Sequence, residues 1–221
     1  MIQTLSGHPK AKVFGDRSAD GLIKAAERTK VFLDIPGVVV MIDGDKLRSK
    51  TSLSTDDQNR DYNGWTKDVN RNLLLVCGPF GKIVDTVVNA PGSFHDSKVV
   101  KLGNVYEHVS CLPNGCKCCC DDTFSISGIL SNKLFKTKEQ YKGGVSRSTY
   151  DMSLTHLRQC SEWGNTILTG VFRRLRSLLP IDNMSRAFIR WSCIYLYNYR
   201  TETIGRNQIR IYFDILIEDK E

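Results

Sequence analysis

At 221 residues, with 41% apolar and 25% charged side chains, the chain fits one globular domain of ordinary to large size with a short arm, and its balance excludes wholesale disorder. No apolar run approaches the roughly 20 residues of a membrane-spanning helix, and Met1 to Gly15 lacks the apolar segment of a secretory signal, so a soluble protein inside the cell, with no membrane partner, is expected. A net charge of +7 favours an anionic partner, because each Lys or Arg that neutralises a phosphate releases a counterion, and eight cysteines in a reducing compartment read as free thiols.

In chain order, Asp20 is placed to cap a short helix reaching Lys30, with Leu22, Ile23, Ala26 and Val31 near one face and Pro36-Gly37 as its stop. Gly37 to Ile42 is a β-branched run too short for an ordinary helix; it reads as a buried strand that Asp43-Gly44 ends. Arg48 to Asn63 is polar enough to read as a mobile loop. Asn72 to Cys77 and Lys82 to Asn89 are strand-like, with hairpin residues Gly78-Pro79-Phe80-Gly81 between them. A helix follows to about Leu102, with Ser93 and Asp96 spaced as a capping box.

Cys116 to Cys120 reads as another buried strand, ending at Asp121, and Lys133 to Arg147 as a loop. Leu154, Leu157, Ser161, Ile167, Leu168, Val171 and Leu175 then recur at helical spacing in a long helix from near Ser153, and Asp182-Asn183 starts a last helix toward Tyr199. The expected division is an N-terminal arm with a short helix (1–36), a main domain (37–200) and a C-terminal tail (201–221).

Three acids fall at telling places in this order: Asp43 and Asp121 close strands, and Glu162 lies inside the long helix. Carboxylates at adjacent strand ends, joined by one from a helix packed beside them, converge on one edge of a sheet. Hard oxygen donors of this kind suit Mg2+ or Mn2+, and a pair of such ions roughly 3.5–4 Å apart stabilises both oxygens of a phosphodiester displacement. Asp43 is expected to bridge both ions, with Asp121 and Glu162 each completing one site.

The motifs around these acids resemble those of Harbinger-type transposases, a group of DDE nucleases. Gly37-Val38-Val39-Val40-Met41-Ile42-Asp43-Gly44 is similar to the segment bearing the first acid, Pro91-Gly92-Ser93-Phe94-His95-Asp96-Ser97 to the PGS-x-HDS segment, and Asp121-Asp122-Thr123-Phe124 to the Asp-x-x-Tyr/Phe element. Arg158-Gln159-Cys160-Ser161-Glu162 resembles the Arg-x-x-x-Glu helix, with Gly170, Phe172, Arg173 and Leu178 in its tail, and Trp191 to Asn198 the closing helix. The resemblance spans roughly Gly37 to Tyr199. It departs at Asp45-Lys46, where Thr-His is usual, and at Leu134-Phe135-Lys136, where a Thr-Pro-Tyr-like segment is usual.

The resemblance implies an α/β fold of ribonuclease H type, a mixed central sheet flanked by helices, and a metal-dependent DNA endonuclease or transposase working in the nucleus, or in cytoplasm and nucleus. It also implies a Myb-type DNA-binding partner and allows an oligomer. The helix-turn-helix that precedes the nuclease domain in full-length relatives has no room in residues 1–36. The rival function is a domesticated or decayed relative that binds nucleic acid or proteins without cutting.

Several residues carry two readings. Asp96 is a helix cap or a further metal ligand, Asp121 competes with Asp122, and Glu162 also stands one helical turn from Arg158. Arg173, Arg174 and Arg176 either complement a helix end or face DNA. Trp65 reads as a core or loop anchor before a base-stacking platform. His108 with Cys111, Cys116, Cys118, Cys119 and Cys120 offers zinc ligands, but neighbouring strand residues point to opposite faces, so buried thiols are the preferred reading.

Overall fold

A computed structural model of the chain describes residues 8–11, 19–31, 35, 37–121, 124, 134–135 and 147–219. Its strands are β1 (Val38–Arg48), β2 (Tyr62–Asn63), β3 (Asp68–Cys77), β4 (Ile83–Pro91), β5 (Lys117–Cys120) and β6 (Leu134–Phe135). Its α-helices are α1 (Ala19–Arg28), α2 (Thr55–Asp61), α3 (Asp96–Leu102), α4 (Val105–Ser110), α5 (Arg147–Val171), α6 (Asn183–Ile204) and α7 (Gln208–Glu218). The result is a mixed α/β architecture with one mixed sheet in the order β2-β3-β1-β5-β6, β4 also pairing with β3.

β1, β3 and β4 form an antiparallel unit, and β5 and β6 run parallel to β1. Side chains alternate across a strand, and the two faces of β3 show it: Leu73, Leu75 and Cys77 join one core, Leu74 and Val76 the other. The first core includes Leu154, Leu157 and Leu168 of α5, Ile194 and Tyr197 of α6, and Ile209 and Phe213 of α7. The second packs Ala25 of α1, Val99 and Val100 of α3, and Val105 and Val109 of α4. No helix among the described residues is long and apolar enough to cross a membrane.

The main strands and the two long helices stand where their sequence patterns place them, and Cys116, Cys118, Cys119 and Cys120 are buried and not joined in disulfides. Other expectations are corrected. Asp43-Gly44 does not end β1, because Asp43 to Arg48 continue the ladder against Leu75 to Asn70 of β3. The polar stretch 48–63 holds α2, whose N-cap Ser54 accepts a hydrogen bond from the Asp57 N–H. α1 begins at Ala19, which leaves Asp20 inside its first turn.

α3 begins at Asp96 with His95 as N-cap and no side-chain cap, so the Ser93–Asp96 box is not formed. The Ser93 N–H donates instead to the Arg60 carbonyl at 3.1 Å. The segment expected as a tail contributes α7, and Arg28 of the expected arm pairs with Asp214 of α7 at 2.7 Å. Most of the 133–147 loop lies outside the described residues, and Leu134–Phe135 within it form β6.

Gly92 shows why the Pro91-Gly92-Ser93 segment tolerates no side chain. A Cβ there would stand 2.2 Å from the carbonyl oxygens of both Asn70 and Asp61, atoms of backbone that cannot swing aside. Gly92→Ala is expected to destabilise the protein by about 3 kcal/mol or more, at the upper end of overpacking costs. A urea melt showing less than about 1 kcal/mol would mean that this junction of α2, β3 and β4 is looser than described.

Candidate functional site

β5 stops where β1 continues. Cys120 lies opposite Ile42 in the parallel register, so the next residues, Asp121 and Asp43, stand side by side at the point where the sheet loses a strand. Met41 and Cys119 both belong to the core under α5, and alternation aims Asp43, two residues beyond Met41, toward the same helix. Phe124 is buried and donates its N–H to the Asp121 carbonyl at 3.2 Å. Asp122 lies outside the described residues.

α5 presents Arg158, Glu162 and Asn165 to this edge, at positions i, i+4 and i+7 of one helical face. Asn165 Nδ2 donates to Asp43 Oδ2 at 2.7 Å. Arg158 approaches Glu162 Oε1 through Nε at 3.2 Å and Nη2 at 3.1 Å, and reaches Asp121 Oδ1 through Nη1 at 3.5 Å. The expected Arg158–Glu162 pairing is therefore present, and it extends to the second acid. Asn165 escaped the sequence reading, although its spacing from Glu162 was a usable signal.

Burial pushes the Asp43 carboxyl up to about 6, with Glu162 and Asp45 adding repulsion, while the hydrogen bonds from Asn165 and the Gly44 backbone lower it. The groups that lower it are neutral dipoles, the Asn165 amide and the Gly44 N–H, and they offset only part of the cost of holding a charge on this half-buried carboxyl. A hard divalent cation would relieve that strain, and the oxygen-only donors Asp43, Asp121 and Glu162 suit one. Among the described residues, no three His, Cys, Asp or Glu side chains already stand together as a ligand set.

Asp96 sits elsewhere. A Cβ on Gly44 would lie 2.9 Å from Asp96 Oδ1, so the Asp96 carboxylate packs on the face of β1 opposite Asp43. It reaches the same strand but a different side of the sheet. Arg173, Arg174 and Arg176 are exposed on a short 3-10 turn after α5, anchored by buried Leu175. The Leu179–Ser49 bridge holds the segment that follows against the end of β1. Arg174 Nη1 also donates to the Leu178 carbonyl at 3.1 Å, whereas among the described residues no side-chain hydrogen bond or ion pair to Arg173 is present.

Trp65 is 93% exposed, so it is not a core anchor. A cavity of about 370 Å³ on the other face of the sheet is lined by Ala25, Val39, Val76, Phe80 and Val105 among others and includes none of the three acids.

The family model described as DDE superfamily endonuclease matches residues 42–198. No curated protein and no solved structure matches the chain. The matched stretch opens on the residue before Asp43, takes in Asp121 and Glu162, and runs through most of α6, well over half of the sequence; the chain belongs to the DDE superfamily endonuclease family.

Proposed function

We propose that the chain is a metal-dependent DNA endonuclease of the Harbinger transposase type, in which Asp43, Asp121 and Glu162 hold two Mg2+ or Mn2+ ions. The observation that carries this reading is the arrangement at the end of β5, where the Ile42–Cys120 pair puts Asp43 and Asp121 next along adjacent strands and Arg158 of α5 reaches both Asp121 and Glu162. The antiparallel β4-β3-β1 unit, extended by parallel β5 and β6, supports a ribonuclease H-like fold. When bound, the ions supply Lewis-acid stabilisation to the oxygens entering and leaving phosphorus.

The chain's own residues do the rest. Asn165 fixes the Asp43 carboxylate through its Oδ2, which limits the rotamers that would blur a ligand position. The burial that raises Asp43 also limits the screening of that one carboxylate by bulk water. Exposed Arg173 and Arg176, with exposed Lys50 beside Leu179, form a basic margin past the end of β1 suited to DNA phosphates. A nuclear location and a Myb-type partner belong to the same proposal.

A second reading, a relative that binds DNA without cutting it, is favoured by the Arg158 guanidinium lying across Asp121 and Glu162. Plasmid nicking in Mg2+ or Mn2+ separates the two. The natural protein should nick, and Asp121→Asn should lose at least about a hundredfold in rate, the scale expected for disturbing a metal ligand or its support. Equal cutting by both would remove Asp121 from the site, and no cutting by the natural protein would favour the binding role.

A further inference from the structure

Arg158 contacts two of the three acids assigned to the metal site, and its guanidinium lies between them. The side chains are open to solvent, with relative exposures of 38% for Arg158, 35% for Asp121 and 48% for Glu162. Ion pairs this exposed hold weakly, because water and salt screen them and two long side chains lose freedom. A divalent cation carries twice the charge of a guanidinium and takes carboxylate oxygens directly, so it competes with the fork for the same oxygens. The displaced guanidinium remains tethered to α5 beside the same acids. A planar fork of donors there matches the two unesterified oxygens of a phosphodiester.

We propose that Arg158 competes with the divalent ion for Asp121 and Glu162, and that ion binding frees it to hold the phosphodiester of the DNA at the site. This rests on the nuclease reading above, and it gives Arg158 two successive partners. The arrangement keeps Asp121 and Glu162 from repelling one another until the ion arrives, and then supplies a positive charge where the DNA backbone must approach. The same observation that favours a non-cutting relative is thereby accounted for within an active one.

The test uses the whole chain with Arg158→Gln, Arg158→Lys and Glu162→Gln, all at a partly exposed position where folding tolerates change. Mn2+ binding is measured by calorimetry. Arg158→Gln should bind roughly two- to fivefold more tightly than the natural protein, the scale of a weak exposed pair removed from competition. Arg158→Lys, which keeps the charge without the fork, should fall between them. The arginine Nε–H resonance that disappears in Arg158→Gln should shift or broaden on addition of Mg2+ to the natural protein.

DNA affinity in Ca2+, measured by fluorescence anisotropy with a short duplex, should fall about tenfold in Arg158→Gln, as expected for a lost charge-assisted hydrogen bond. Unchanged or weaker Mn2+ binding by Arg158→Gln, or an Nε–H resonance indifferent to Mg2+, overturns the proposal. If Glu162→Gln still loses Mn2+ affinity in that case, the metal site stands and only the role of Arg158 falls. Absence of Mn2+ binding by the natural protein at millimolar concentration overturns both.

Discussion

Asp43→Asn is expected to abolish metal-dependent nicking and, in the presence of a chelator, to make the protein more stable near pH 8. The carboxyl is raised from 3.8 to about 6, chiefly by burial. The folded chain therefore holds this proton more tightly than the unfolded chain does. Below the unfolded value both states are protonated and the favourable contribution is fully present; as pH rises through about 6 it is lost. A shift of this size corresponds to roughly 3 kcal/mol at most.

Asn at this position keeps an oxygen for the Asn165 donor and carries no charge to desolvate. The variant should thus gain roughly 1–3 kcal/mol above about pH 7, with the difference closing below about pH 4. Mg2+ should raise the melting temperature of the natural protein and leave that of Asp43→Asn unchanged. Chemical melts at both pH values check the sign: a variant less stable than the natural protein at pH 8 would mean that the carboxylate is well compensated in the fold. Sites that trade stability for chemistry in this way are expected where charge is needed but buried.

The largest loss of stability is expected from Asp61→Asn. Arg71, Arg186 and Arg190 are all buried, and Asp61 is the carboxylate that meets Arg71, at 2.6 Å with both side chains under 10% exposed. Burial, then Arg186 and Arg71, push Arg190 down to about 9, and burial followed by Arg71 lowers Arg186. Removing one partner from a buried pair leaves an uncompensated charge and costs about 3–5 kcal/mol. Here the cost falls on a cluster already rich in positive charge.

Arg190 donates to the Asn72 and Arg71 carbonyls at 3.2 and 3.3 Å, so the cluster clamps α6 to β3 beside the strand that carries Asp43. The melting temperature should drop by on the order of 10 °C. The double variant Asp61→Asn/Arg71→Met should be less destabilised than Asp61→Asn alone, since it removes the orphaned charge as well. A drop of only one or two degrees in the single variant would show that Asp61 does not hold the cluster.

These two residues also mark what the sequence could disclose. The Val38 to Ile42 run announces a buried strand because β-branched residues fit a pleated, packed surface, and the heptad-like apolar positions of α5 announce a helix by their spacing. Asp43-Gly44 reads locally as a turn, and only the distant Leu73-Leu74-Leu75 of β3 makes it the middle of a strand. α2 has almost no apolar periodicity. Its residues are held by the Ser54 cap and by the pairing of Asp61 with Arg71, a partner on another element.

The same limit applies at the site. Asp43, Asp121 and Glu162 were singled out because acids beside β-branched runs and on a long helix stand out, and their motifs occur in order along the chain. That Asp96 lies on the other face of β1 depends on which side of the strand Gly44 leaves open, a fact of parity and packing rather than of residue type. Asn165 is a different case, because its place on the Arg158–Glu162 face follows from spacing alone. Ile209 and Phe213, four residues apart, likewise carried a signal for α7 that the expectation of a tail overlooked.

Crystals soaked with Mn2+ and measured for anomalous scattering give the most direct view of whether this edge is a metal centre. Manganese peaks are expected within coordination distance of carboxylate oxygens from Asp43 and from both Asp121 and Glu162, with the Arg158 side chain moved off Glu162. Peaks confined to other surfaces, with those three carboxylates engaged only by Asn165 and Arg158, would contradict the account.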